Sequence, residues 1–98
     1  MNKRRVVITG LGALTPIGNS VDEYWKNLVA GRSGAAEITR FDSSLFKTKF
    51  ACEVKGFDPE SIMNRKEARK LDLFSSFAIA TVKEAMEDSG INTEEINL

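Results

Sequence analysis

Cys52 is the single thiol of the chain and the side chain best suited to nucleophilic chemistry. A catalytic cysteine needs a base, most often histidine, or a helix N-terminus to form its thiolate. The 98 residues contain no histidine, and Cys52 falls in a segment that alternates like a strand. We therefore predict that Cys52 is a small buried hydrophobic residue and that the chain contains no catalytic residue. One cysteine without histidine also excludes a zinc site of the Cys/His type, so no metal is expected.

A pair of glycines, Gly10 and Gly12, follows the first apolar run and could begin a dinucleotide-binding loop. Such a loop requires Gly or Ala at position 15, which is Thr15 here, and Pro16 delays the helix that should follow. A phosphate-binding P-loop is excluded as well, because no Gly-Lys-Ser/Thr sequence comes next. We predict that the two glycines serve a tight turn and that the chain needs no cofactor.

Lys66, Arg69 and Lys70 have the spacing i, i+3 and i+4, which places them on one face of a helix. Arg65 is adjacent, and Glu67 is the only nearby negative charge. This spacing is typical of a solvated surface, but it also suits a site that attracts an acidic partner or a phosphate. The spacing alone leaves both interpretations open.

Capping residues predict where the helices begin. Ser20 with Glu23 forms a capping pair before an apolar stripe that ends at Gly31. Asp58-Pro59 predicts a short helix over 59–63, and Asn64 with Glu67 predicts a helical turn through Lys70. Residues 71–89 predict a long helix that ends at Gly90. It is apolar around most of its circumference, so we expect it to be buried on several sides by material beyond these residues.

Two strands are predicted, over 5–9 and 50–54, with a loop or short irregular elements at 32–48. Val6, Val7 and Ile8 form a β-branched run typical of a strand buried on both faces. Phe50, Cys52 and Val54 alternate with more polar or smaller residues. Strands interspersed with helices predict an α/β fold.

Composition limits the classes of function. The chain is 42% hydrophobic and 29% charged, which is typical of a globular protein. Its fourteen basic and fourteen acidic residues balance, so nucleic acid is not an expected partner. The apolar run after the basic start is too short for a signal peptide, and no stretch could span a membrane. A cytoplasmic, reducing location is expected, with no membrane partner.

The chain resembles the β-ketoacyl-[acyl-carrier-protein] synthases, and within them the synthase II branch, over essentially its whole length. The most specific segment runs from Arg4 to Asn19. The similarity continues through Trp25, Leu28, Gly31, Ser33-Gly34, Phe41-Asp42, Arg65-Lys66, Arg69-Lys70-Leu71-Asp72 and Asp88-Ser89-Gly90.

The resemblance implies a thiolase-like fold with layered α-β-α-β-α architecture. Residues 1–98 would be the first part of the N-terminal ketosynthase domain, with the remainder expected beyond Leu98. The long apolar helix would then lie between sheets. Family members are cytoplasmic homodimers, so a homodimer is expected for the whole protein.

The family's reaction is a decarboxylative Claisen condensation in fatty acid elongation. A cysteine takes the acyl chain from acyl carrier protein, and malonyl-carrier protein then supplies the attacking carbanion. In family members that cysteine and two assisting histidines lie downstream of this segment, so residues 1–98 alone are expected to be inactive. The resemblance implies that Lys66, Arg69 and Lys70 help to bind acyl carrier protein.

Other hypotheses remain open. A synthase I or a polyketide-type ketosynthase would share this segment, because the acyl pocket that separates these enzymes is hardly reached by it. A stand-alone module that binds an acidic partner is the alternative from another class. It requires that the long apolar helix be covered within these residues.

Overall fold

The structure is a computed structural model that describes residues 2–95; the start and end of the expected 1–98 segment lie outside the described residues. No helix in this described part is long and apolar enough to cross a membrane. The elements, in chain order, are α1 (Val21–Val29), β1 (Ala35–Glu37), β2 (Phe50–Cys52), a 3₁₀ turn (Pro59–Ser61), α2 (Arg65–Lys70) and α3 (Leu73–Ser89).

The predicted capping residues begin the helices. The Oγ of Ser20 accepts from the Glu23 N–H at 3.2 Å before α1, and Oδ1 of Asn64 accepts from the Glu67 N–H at 2.8 Å before α2. Oδ1 of Asp58 accepts from the Glu60 N–H at 3.0 Å, but the element that follows is one 3₁₀ turn that stops short of the predicted 59–63. These bonds satisfy N–H groups that have no partner within the helix.

The long helix is two residues shorter than predicted at its start. Leu71 has an extended backbone (φ −103°, ψ 141°), so it separates α2 from α3, and Asp72 precedes the first turn of α3. Gly90 ends α3 in the left-handed region with φ 67°, as the helix-stop signal predicted. The break at Leu71 makes α2 a separate short helix.

A small antiparallel sheet joins β1 and β2, with Ala36 opposite Ala51 and Glu37 opposite Phe50. The strand over 50–54 is confirmed as far as Cys52. Its partner β1 lies in the segment that was predicted to be irregular. Three residues, Ala-Ala-Glu, carry no alternating or β-branched signal, so only the pairing identifies β1 as a strand.

The prediction of a strand over 5–9 is wrong. In the described part of the chain this segment has no regular secondary structure, and Val6 is 94% exposed. A strand is defined by hydrogen bonds to a neighbouring strand, and within residues 2–95 no strand lies beside this segment. The β-branched composition gives the propensity for a strand but cannot supply its partner.

Gly10 and Gly12 pack the N-terminal segment directly onto α3. A Cβ on Gly10 would lie 2.9 Å from the Cβ of Ser89, and one on Gly12 would lie 2.9 Å from the carbonyl carbon of Thr81. Neither glycine has a positive φ, and residues 10–14 form no turn. The tight-turn interpretation is therefore wrong, because both positions require glycine for the close approach of two backbones.

One face of α3 is covered and the other is open. Ser76 on the covered side is 1% exposed, and the ring of Phe77 packs edge-on against Phe57 with centroids 5.3 Å apart. The exposed large apolar side chains of α3 are Leu73, Phe74, Ile79, Val82 and Met86. No hydrophobic residue in the described part of the chain is fully buried. Residues 2–95 thus leave uncovered one face of the helix that the sequence predicts to be buried on several sides.

Candidate functional site

α2 presents the cluster of cations that the sequence singled out. Lys66, Arg69 and Lys70 all lie on this helix, and all three are exposed. We call these three residues the α2 patch. Their i, i+3, i+4 spacing places them on one face. Within residues 2–95 no salt bridge involves any of them, so their charges are available to a partner.

Both ends of α2 are defined by local contacts. Asn64 caps the first turn, and the N–H of Met63 donates to the carbonyl of Pro59 at 3.2 Å, which connects the 3₁₀ turn to the residue before the cap. The extended Leu71 then ends the helix. The α2 patch therefore sits on a short helix with a defined start and a defined end.

Arg65 differs from the three cations of the patch because it has an acidic neighbour. Its Nε lies 3.6 Å from Oε1 of Glu60 on the 3₁₀ turn. Their side chains are 72% and 51% exposed, respectively. Ion pairs as exposed as this one contribute about 0–1 kcal/mol to stability. The pair between Arg65 and Glu60 therefore affects the local charge more than the stability of the fold.

Two carboxylates of α3 hold the N-terminal segment. Oε1 of Glu84 accepts from the Ala13 N–H at 2.8 Å, its Oε2 accepts from the Val21 N–H at 3.0 Å, and Asp88 accepts from the Leu11 N–H at 3.0 Å. Val21 is the first residue of α1, where a negative charge is favourable. Sequence reasoning missed this role. The available signal was a pair of acids spaced i, i+4 near the C-terminal end of a largely apolar helix.

Lys55 joins three segments through its ammonium group. Its Nζ donates to the carbonyl oxygens of Gly34 at 2.9 Å, Glu53 at 3.0 Å and Pro16 at 3.2 Å. Three acceptors match the three donors of a lysine. Lys55 therefore connects the loop before α1 to one end of the small sheet, where β1 begins and β2 ends, a role that no sequence motif indicated.

Glu53 anchors the chain after β1. It accepts from the N–H and the hydroxyl of Thr39 at 3.1 and 2.9 Å, and it pairs with Nε of Arg40 at 3.5 Å. Desolvation alone would raise the pKa of Glu53, but the Thr39 and Arg40 hydrogen bonds and the Arg40 charge outweigh it and lower that pKa. Glu53 is thus held in its ionised form.

Cys52 is exposed at the end of β2, so the prediction that it is buried is wrong. Phe50, on the same face of the two-stranded sheet, is 66% exposed as well. Alternation predicted which side Cys52 shares with Phe50 but could not show whether that side is covered. No group of acidic, cysteine or histidine side chains suited to a metal ion occurs within the described residues.

The chain belongs to the β-ketoacyl synthase family: residues 3–98 match the profile described as the N-terminal domain of β-ketoacyl synthase. It is 53% identical over 97 residues to the 3-oxoacyl-[acyl-carrier-protein] synthase 2 of Vibrio cholerae serotype O1 (strain ATCC 39315 / El Tor Inaba N16961). It is 50% identical, also over 97 residues, to the protein of that name from Coxiella burnetii (strain RSA 493 / Nine Mile phase I). Each match covers 99% of this chain and 23% of the relative, so the chain spans about a quarter of their length.

The fold agrees with the family. A solved structure described as the ishigamide ketosynthase/chain length factor superposes with a TM-score of 0.79 and 37% identity, covering 98% of this chain and 24% of that one. The α/β fold class, as the N-terminal portion of a thiolase-like fold, is thereby confirmed. The family resemblance seen in the sequence is confirmed as well.

Proposed function

We propose that this chain is the N-terminal part of a 3-oxoacyl-[acyl-carrier-protein] synthase, an acyltransferase that extends fatty acyl chains. The observation that carries the proposal is the 53% identity, over 97 residues, to a protein named as synthase 2. A further relative with the same name, from Synechocystis sp. (strain ATCC 27184 / PCC 6803 / Kazusa), is 45% identical. Residues 1–98 form the first part of the N-terminal ketosynthase domain of that enzyme.

In the proposed reaction, a cysteine thiolate of the whole enzyme first takes the acyl chain from acyl carrier protein as a thioester. The malonyl group on a second carrier protein loses carbon dioxide, and the resulting carbanion attacks the thioester carbonyl. The new carbon–carbon bond forms as the cysteine thiolate leaves. Two histidines outside this chain stabilise the charged oxygens. Cys52 has no part in this reaction, and residues 1–98 alone are inactive.

What this chain contributes is a docking surface for acyl carrier protein, the α2 patch of Lys66, Arg69 and Lys70. Three exposed cations without ion-pair partners in the described chain support this assignment. Charges of this kind mainly raise the rate of encounter and set orientation, and salt weakens them. We place the whole protein in the cytoplasm as a homodimer, as the family resemblance implies.

A second candidate is a ketosynthase of polyketide type, because the chain is also 37% identical to the solved ishigamide ketosynthase/chain length factor. Acyl pockets separate the two candidates, so condensation assays with straight-chain acyl-carrier protein substrates and with polyketide starters distinguish them. Extension of the straight-chain substrates supports the first candidate. Selective use of polyketide starters supports the second.

The test of the docking role uses the whole protein that carries this chain. We expect the triple variant Lys66→Ala, Arg69→Ala, Lys70→Ala to bind acyl carrier protein more weakly and with a shallower dependence on salt. The matched control replaces Lys26, Arg32 and Lys47, three exposed cations of the same types, by alanine. Calorimetric titration at low and high salt measures both. An equal loss in the two variants would show that only net charge matters.

A further inference from the structure

Arg65 is a fourth cation beside the α2 patch, but an acid outside the helix engages it. The Nε of Arg65 lies 3.6 Å from Oε1 of Glu60, and both side chains remain more than half exposed. Arg65 directly precedes Lys66, the first residue of the patch. Glu60 therefore both neutralises a neighbouring cation and places a negative charge at the edge of the patch.

The two elements that carry this ion pair do not need it. Asp58 caps the 3₁₀ turn through the Glu60 N–H at 3.0 Å, and Asn64 caps α2 through the Glu67 N–H at 2.8 Å. The N–H of Met63 donates to the Pro59 carbonyl at 3.2 Å and connects the two. Neither the two capping bonds nor this backbone bond uses the Glu60 carboxylate, so its loss leaves the patch in place.

From this arrangement we infer that Glu60 restrains the α2 patch by holding the guanidinium of Arg65. This inference rests on the proposed docking of an acidic carrier protein. A partner carboxylate has to displace Glu60 before it can use Arg65, and an open pair of this kind can be displaced. Of the four cations on this surface, three are therefore free and one is paired. The pairing limits the affinity for acyl carrier protein and favours its release after each transfer.

The first measurement compares Glu60→Gln in the whole protein with the wild type. The amide keeps the size of the side chain and removes its charge, so Arg65 is freed without a gap. We expect acyl carrier protein to bind about threefold tighter at low salt, with a steeper dependence on salt. Glu37→Gln on β1 is the control, because it removes one exposed carboxylate from another element.

A double-mutant cycle then tests the pairing itself. Arg65→Ala alone should change the affinity by less than about twofold, because the wild-type Arg65 is already engaged. In Arg65→Ala, the change Glu60→Gln should no longer tighten binding. If Glu60→Gln tightens binding equally with and without Arg65, Glu60 acts only through its own charge and the inference is overturned. Unchanged affinity in Glu60→Gln overturns it as well.

The failure of this inference is distinguishable from failure of the docking proposal. The triple variant of Lys66, Arg69 and Lys70 reports whether the carrier uses the α2 patch at all. If the triple variant loses binding and Glu60→Gln leaves the affinity unchanged, the restraint by Glu60 is contradicted and the docking role of the α2 patch is supported. Normal binding in the triple variant would reject both.

Discussion

The carboxylate of Glu84 accepts a hydrogen bond from the backbone N–H of Val21 at 3.0 Å, across 63 positions of the sequence. Its second oxygen accepts from the Ala13 N–H at 2.8 Å. One side chain of α3 therefore fixes both the start of α1 and the segment that leads to it. This half-buried acid thus links α3 to two parts of the chain that precede Glu84 by 63 and 71 positions.

Replacing Glu84 should destabilise the whole protein. Glu84→Gln keeps the size of the side chain but directs an NH₂ donor at one of the two N–H groups, so we expect a loss of about 1–3 kcal/mol. The midpoint of urea unfolding measures it. The control is Glu87→Gln, an exposed acid on the same helix. Equal midpoints for the two variants would contradict the connecting role of Glu84.

Gly12→Ala tests the contact between the N-terminal segment and α3. The added methyl group would overlap the carbonyl group of Thr81, so the segment must move away from the helix. We expect a loss of about 1–3 kcal/mol, measured by the shift in thermal midpoint. Gly31→Asn is the comparison. Gly31 has φ 72° with open space around it, and asparagine tolerates that conformation, so little change is expected there.

Stability should fall at acidic pH through Glu53. Its pKa is lowered from its ordinary value of 4.5, so the ionised form stabilises the folded state. That contribution is complete above the ordinary value and is lost as the pH falls through the lower pKa of the folded protein. We expect the difference in thermal midpoint between wild type and Glu53→Gln to be largest near neutral pH and to shrink below pH 4.5. A difference independent of pH would exclude this linkage.

The isolated segment of residues 1–98 should lack a cooperative unfolding transition. No hydrophobic side chain in its described part is buried, and small domains need such a core. Trp25, which is 63% exposed, provides the fluorescence signal. We expect an emission typical of an indole in water and a gradual change on heating. A sharp transition would instead support a free-standing module.

The sequence predicted local features well and long-range ones poorly. Ser20, Asn64 and Gly90 act within a few residues of their position, so their roles could be deduced from spacing. The strand expected at 5–9 depends on partners elsewhere, and its β-branched residues could not show that the described chain lacks them. The prediction that Cys52 is buried was wrong for the same reason, because burial also depends on elements elsewhere in the chain.

In the candidate site, too, local features could be predicted from the sequence and long-range contacts could not. Helical spacing was enough to group Lys66, Arg69 and Lys70 on one face, because all three belong to one helix. The bonds of Glu84 and Lys55 connect segments that are far apart along the chain, and nothing in their neighbourhoods identifies the partners. The family resemblance supplied the expected role of the patch, which spacing alone had left open.

The contact between Leu11 and Asp88 spans 77 positions, and this separation has a consequence during synthesis. At about 5–20 residues per second, a ribosome needs about 4–15 s to add the residues between them. During that time Val6, Val7 and Ile8 have been synthesised and α3 has not. The nascent chain therefore keeps Leu11 without its partner on α3 for several seconds. Since Val6, Val7 and Ile8 stay exposed even beside the finished helix, this apolar run is a target for a chaperone that binds short β-branched segments throughout that time.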